Sequence, residues 1–203
     1  MQPIKKMYTP EEYLVLEEKA ARKSEYYRGE IFAMAGGSIN HNRIARNVCN
    51  ALTQAFDKRP CEAFISDVRL WLEHAKLYTY PDVMVICGEP KFVPERTDTL
   101  TNPLVIVEVL SPSTQLYDCN SKFLFYRGLE TLQDYLLIEQ DKIYLDYYHK
   151  LGPNEWHLKT YEAQADFIRL EAIEVELSVE QIYARVSFGR IENRPNPQEI
   201  EET

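Results

Sequence analysis

Two acidic residues stand inside the most apolar stretches of the chain. Asp82 opens the run Tyr80-Pro81-Asp82-Val83-Met84-Val85-Ile86-Cys87. Glu108 lies within Val105-Ile106-Val107-Glu108-Val109-Leu110, just before Ser111-Pro112-Ser113-Thr114. Each run reads as a buried β-strand. A carboxylate there costs free energy unless it is paired, hydrogen-bonded or bound to a cation. Two such acids on strands able to lie side by side form the beginning of a hard-cation site, since Mg²⁺ is held by one or two carboxylates plus waters and substrate phosphate. The Val109 carbonyl is a third possible ligand. Lys122 is the candidate cation for orienting water or stabilising a pentavalent phosphate. Glu30, on an early strand, could complete the site or serve a second metal position.

The positioning elements follow from local signals. Thr9-Pro10-Glu11-Glu12 starts a helix expected to reach about residue 22, with Thr9 as N-cap and Pro10 in the first turn. Ser24 to Ala35 reads as a hairpin turning near Arg28-Gly29. Ser38 caps a long helix to about Asp57, with Ile44, Val48, Ala51, Leu52 and Phe56 as its apolar stripe. Strands are expected at about 62–73, 82–87 and 104–110, with residues 88–102 a polar hairpin or loop. Asp118 reads as the cap of a helix over about 119–130. Strands at about 134–139, 142–149, 155–161 and 167–171 would complete the sheet, and Ser178 starts a short last helix. The fold class is α/β, an α+β arrangement with a central mixed β-sheet flanked by helices.

These residues resemble the PD-(D/E)XK nuclease superfamily and, within it, the Uma-type (Uma-two) family of restriction-endonuclease-like proteins. The resemblance is carried by Glu25-Tyr26-Tyr27-Arg28-Gly29-Glu30-Ile31, Met34-Ala35-Gly36-Gly37-Ser38 with His41, Ser66-Asp67-Val68-Arg69, Tyr80-Pro81-Asp82-Val83, Glu108 to Thr114, Asp118 with Lys122, and Tyr126-Arg127. It spans roughly residues 9–186. It implies a restriction-endonuclease-like core and a Mg²⁺- or Mn²⁺-dependent endonuclease, a hydrolase of DNA phosphodiester bonds. Asp82, Glu108 and Val109 would bind metal, and Asp82, Glu108, Lys122 and Glu30 would be catalytic. His41, Glu25 and Asp118 are supporting candidates. One departure is plain: two residues beyond Glu108 stands Leu110, not lysine. The resemblance implies that the lysine has migrated to the following helix, as Lys122. A homodimer is expected, because duplex cleavage favours two-fold symmetry.

Bulk properties bound this reading. The chain has 203 residues, 45% hydrophobic, enough to bury a core. One domain over residues 1–188 is expected, with 189–203 a disordered tail. No apolar run is long enough for a membrane helix and no signal peptide is evident, so the chain reads as cytoplasmic. The four cysteines (Cys49, Cys61, Cys87 and Cys119) are scattered and read as reduced thiols. Residues 1–80 hold 12 Lys and Arg against 10 Asp and Glu, and residues 81–203 hold 11 against 22. The net charge of −9 is unlike that of a phosphate-backbone binder. It keeps open an alternative, a catalytically inactive nucleic-acid-binding or protein-interaction module on the same fold. Small-phosphoester hydrolysis in an enclosed pocket is a third reading.

Overall fold

The computed structural model describes residues 6–34, 36–111 and 122–189. The expected tail lies outside them except for Gly189, as do Cys119 and Asp118.

Helix α1 (Pro10–Glu17) begins with a capping box in which Thr9 and Glu12 exchange side chain-to-backbone hydrogen bonds. It ends earlier than expected. The buried Glu17 carboxylate accepts the Ser24 N–H at 2.9 Å, and the chain folds back at once into a hairpin. That hairpin joins β1 (Ser24–Tyr27) to β2 (Glu30–Ala33). Both turn residues have positive φ, Arg28 at 48° and Gly29 at 94°. Only a turn of this twist matches two flanking strands so closely spaced. Helix α2 (Ile39–Ala55) is capped by Ser38, whose Oγ accepts the His41 N–H at 3.1 Å. It buries Ile44, Ala45, Val48 and Leu52.

The strand expected over 62–73 is two strands and a turn. β3 (Cys61–Ile65) pairs with β6 (Val83–Cys87), and β4 (Arg69–Leu72) joins a different sheet beside β5 (Leu77–Thr79). The break at Ser66–Val68 is a tight turn closed by the Asp67 and Val68 N–H groups on the Ile65 carbonyl. The loop expected over 88–102 contains the two-residue β7 (Thr99–Leu100). After β8 (Val105–Leu110) come α3 (Phe123–Tyr126), β9 (Asp134–Glu139), β10 (Leu145–Gly152) and β11 (Glu155–Tyr161). β12 (Phe167–Leu170), β13 (Val175–Ser178) and α4 (Val179–Ile182) follow.

Among the described residues the strands form three sheets. The largest runs β11-β10-β9-β8-β6-β3, antiparallel except for the parallel pair β8–β9. A second runs β2-β1-β5-β4-β7. β12 does not complete the main sheet as expected. It pairs with β13 alone, and this hairpin packs on the core that α2 also covers. β6 and β8 are buried on both faces, which explains their continuous apolar sequence. Val83, Val85, Val105, Val107 and Val109 face α2 and the β12–β13 hairpin. Met84, Ile86, Ile106 and Leu110 face the second sheet and α3.

The cysteine reading needs correction. Cys61 and Cys87 are disulfide-bonded, whereas Cys49 is free. Far apart in sequence, they stand directly opposite each other in the β3–β6 register. The flanking pair is hydrogen-bonded through Gly88 N–H to the Pro60 carbonyl. The cysteines therefore occupy the non-hydrogen-bonded position, where side chains approach most closely.

Candidate active site

The register of β6 against β8 brings the two acids together. Pairing runs from Val85↔Val105 to Val83↔Val107. One rung further, Asp82 falls opposite Glu108. Glu108 shares the face of Ile106 and Leu110, towards α3 and the second sheet, whereas Asp82 stands just ahead of β6 and reaches the first turn of α2.

Their surroundings differ. Glu108 is 3% exposed. Its Oε1 accepts from the Tyr126 hydroxyl at 2.6 Å and from Lys122 Nζ at 3.3 Å. Lys122 and Tyr126 are four residues apart, hence on one helical face over the same carboxylate. Burial, then the Glu108 charge, pushes the Tyr126 hydroxyl well above its usual pKa, so it stays a donor. Asp82 lies at the strand mouth with its side chain 13% exposed. Its Oδ2 accepts the Val109 N–H at 2.8 Å and lies 3.2 Å from His41 Nε2. Val109 thus serves the site through its N–H. His41 is held there by the Ser38-capped first turn of α2, and Ser38 in turn bonds the buried Gln140 at the end of β9.

Of the early acids, Glu25 rather than Glu30 meets the lysine among the described residues. Glu25 Oε1 lies 3.4 Å from Lys122 Nζ and accepts the Thr79 hydroxyl. Glu30 lies on the same face of the hairpin but opposite Tyr27, nearer the turn. Asp67 does not pair with Arg69. It bonds Lys23, while Arg69 is buried against the Tyr80 hydroxyl at 2.9 Å and lies 3.6 Å from Asp98. The site contains two residues to which sequence reasoning gave no role: Tyr126, quoted only within the Tyr126-Arg127 pair of the resemblance, and Thr79. The i, i+4 spacing from Lys122 would have found the first. No local signal marks the second.

Among the described residues no three His, Cys, Asp or Glu side chains converge into a complete metal cage. The donors present are nevertheless hard oxygens, with Asp82 partly open to solvent. This chemistry suits Mg²⁺ or Mn²⁺, which keep several waters, better than Zn²⁺, which wants a full nitrogen or sulfur set.

The family model described as "putative restriction endonuclease", Uma2, matches residues 10–181. The chain belongs to the Uma2 family. That span contains every site residue above. Two Synechocystis sp. proteins are close in sequence to this Uma2 chain. One, called uncharacterized protein sll1609, is 46% identical over 153 residues, which is 75% of this chain and 86% of that protein. The other, uncharacterized protein slr1290, is 38% identical over 180 residues, 89% of this chain and 93% of that protein. The fold is that of a crystal structure from Anabaena variabilis described as a "putative nuclease" of DUF820. The TM-score is 0.69 at 19% identity, covering 87% of this chain and 97% of that one. No helix among the described residues is long and apolar enough to cross a membrane.

Proposed function

We propose that this chain is a Mg²⁺- or Mn²⁺-dependent endodeoxyribonuclease that hydrolyses phosphodiester bonds in duplex DNA. The observation that carries the reading is the β6–β8 register, which runs to Val83↔Val107 and leads Asp82 to the rung of Glu108, with the Lys122 ammonium on Glu108. Family membership supports it.

Asp82, Glu108 and the Val109 carbonyl would hold the ion. When bound, it supplies positive charge for the phosphate oxygens and makes water more acidic. The protein's own groups do the rest. Tyr126 fixes Glu108 by a charge-assisted hydrogen bond. His41 and the Val109 N–H fix one oxygen of Asp82, leaving Oδ1 without a hydrogen bond among the described residues. Lys122 can donate to a non-bridging phosphate oxygen as negative charge builds. Glu30 would support the site from the hairpin and Asp118 from the segment before Lys122. We further propose that residues 1–188 work as one unit, as a cytoplasmic homodimer whose two sites address the two strands.

Supercoiled plasmid tests this. Nicking with Mg²⁺ or Mn²⁺, abolished by EDTA and lost in Asp82→Ala and Glu108→Ala, is the expected result. Wild-type protein that leaves plasmid intact with either metal, or cleavage equal in all three proteins, would overturn it. Metal-independent DNA binding without cleavage would favour the inactive nucleic-acid-binding alternative, whereas neither cleavage nor DNA binding would favour the protein-interaction module, with which the net charge of −9 agrees.

A further inference from the structure

Lys122 is a buried cation shared between two carboxylates on different sheets. Its Nζ lies 3.3 Å from Glu108 Oε1 on β8 and 3.4 Å from Glu25 Oε1 on β1. All three residues are buried. The Thr79 hydroxyl bonds the same Glu25 oxygen, anchoring it from β5. Glu25 is therefore a built acceptor facing the ammonium.

One ammonium between two carboxylates sums to −1 over these three groups. An ion on Glu108 and an ammonium on the same carboxylate would repel each other strongly, because burial weakens screening. Expelling the ammonium into an apolar wall would cost more still. A second carboxylate on its other side resolves the conflict, since a small shift of Nζ towards Glu25 keeps it paired.

We infer that Glu25 is a positioning residue that receives the Lys122 ammonium when a divalent cation occupies Glu108. This rests on the metal-site reading above. Glu25 touches neither Asp82 nor Glu108 in the contacts described, and acts through the lysine.

The test is a double-mutant cycle read by Mn²⁺ binding alone, with free Mn²⁺ followed by electron paramagnetic resonance and no nucleic acid present. Glu25→Gln should weaken Mn²⁺ binding by about fivefold or more, within the usual range for coupled sites. Lys122→Met, which removes the competing charge, should tighten it. In the Lys122→Met background, Glu25→Gln should change affinity by less than about twofold, because the coupling partner is gone. Equal weakening in both backgrounds would make Glu25 a direct ligand or mere scaffolding and overturn the inference. So would unchanged affinity in Glu25→Gln. Thr79→Val keeps every charge and should shift affinity the same way by less; it serves if thermal melts show Glu25→Gln misfolded. Wild-type protein that binds no Mn²⁺ would sink the metal reading itself, an outcome distinct from failure of the cycle.

Discussion

Asp134, fully buried, and Asp82, partly open to solvent, stand at opposite ends of the same sheet, and their treatment differs. At the far end from Glu108, Asp134 starts β9 opposite Val105 and is fully buried. Its Oδ1 accepts from the Tyr147 hydroxyl at 2.8 Å and faces His149 Nδ1 at 2.7 Å. Its Oδ2 accepts the Ala172 N–H at 3.0 Å. Both oxygens are thus engaged, and the acid ties β9 and β10 to the segment ahead of β13. Asp82 opens to solvent and has one oxygen without a hydrogen bond among the described residues. A carboxylate saturated by protein donors is a strut. One that is oriented but unsaturated is ready for a ligand.

The sharpest way to break this contrast is to exchange the readouts. Asp82→Ala and Glu108→Ala should each lower plasmid nicking by about a thousandfold or more, the scale of losing a group aimed at transition-state charge. The Asp82 variant should melt within a few degrees of wild type. Comparable loss of activity in an Asp134 variant of intact fold would erase the distinction.

Asp134→Asn should do the reverse. It removes a charge-assisted set of bonds and leaves a buried amide mismatched with its donors, at a cost of about 1–3 kcal/mol. That is a fall of roughly 2–10 °C in melting temperature for a domain this size, with Mn²⁺ affinity unchanged. Burial lifts the Asp134 carboxyl above its ordinary range, although His149, Ala172 and Tyr147 pull it back. Its contribution is therefore fully present below the unfolded value and lost as pH rises through the folded one. Melting curves against pH should lose that slope in Asp134→Asn.

Tyr126→Phe sharpens the comparison from the other side. It deletes one donor to Glu108 and keeps the ring packed against Tyr135. A hydrogen bond to a charged group contributes about 1.5–3 kcal/mol. We expect a melting loss comparable to that of Asp134→Asn, but here with kcat falling more than KM rises.

The smallest effect belongs to a surface-side acid. Asp98 is held down to about 2 from 3.8, chiefly by the Arg96 hydrogen bonds. A depressed carboxyl contributes stability that is present above its unfolded value and lost as pH falls through the folded one. With the side chain 46% exposed, solvent screens much of it. Acid melts should show Asp98→Asn converging on wild type between about pH 4 and 2. A constant difference across that window would refute the assignment.

Local sequence by itself determined the helix caps, the first hairpin turn and the acids. Thr9 with Glu12, Ser38 and Ser178 cap their helices, and Arg28-Gly29 turns the hairpin, because caps and turns are set within a few residues. Asp82 and Glu108 were legible because a charge inside an apolar run has few structural excuses. Tertiary structure decided what no spacing shows. It broke the 62–73 run into strands of two sheets and set β12 apart from the main sheet. It joined Cys61 to Cys87 through strand register. It brought Thr79 to Glu25, over fifty residues away, and Glu25 to Lys122. Those contacts depend on how sheets stack and on which rung faces which, and long-range packing of the whole apolar set fixes both.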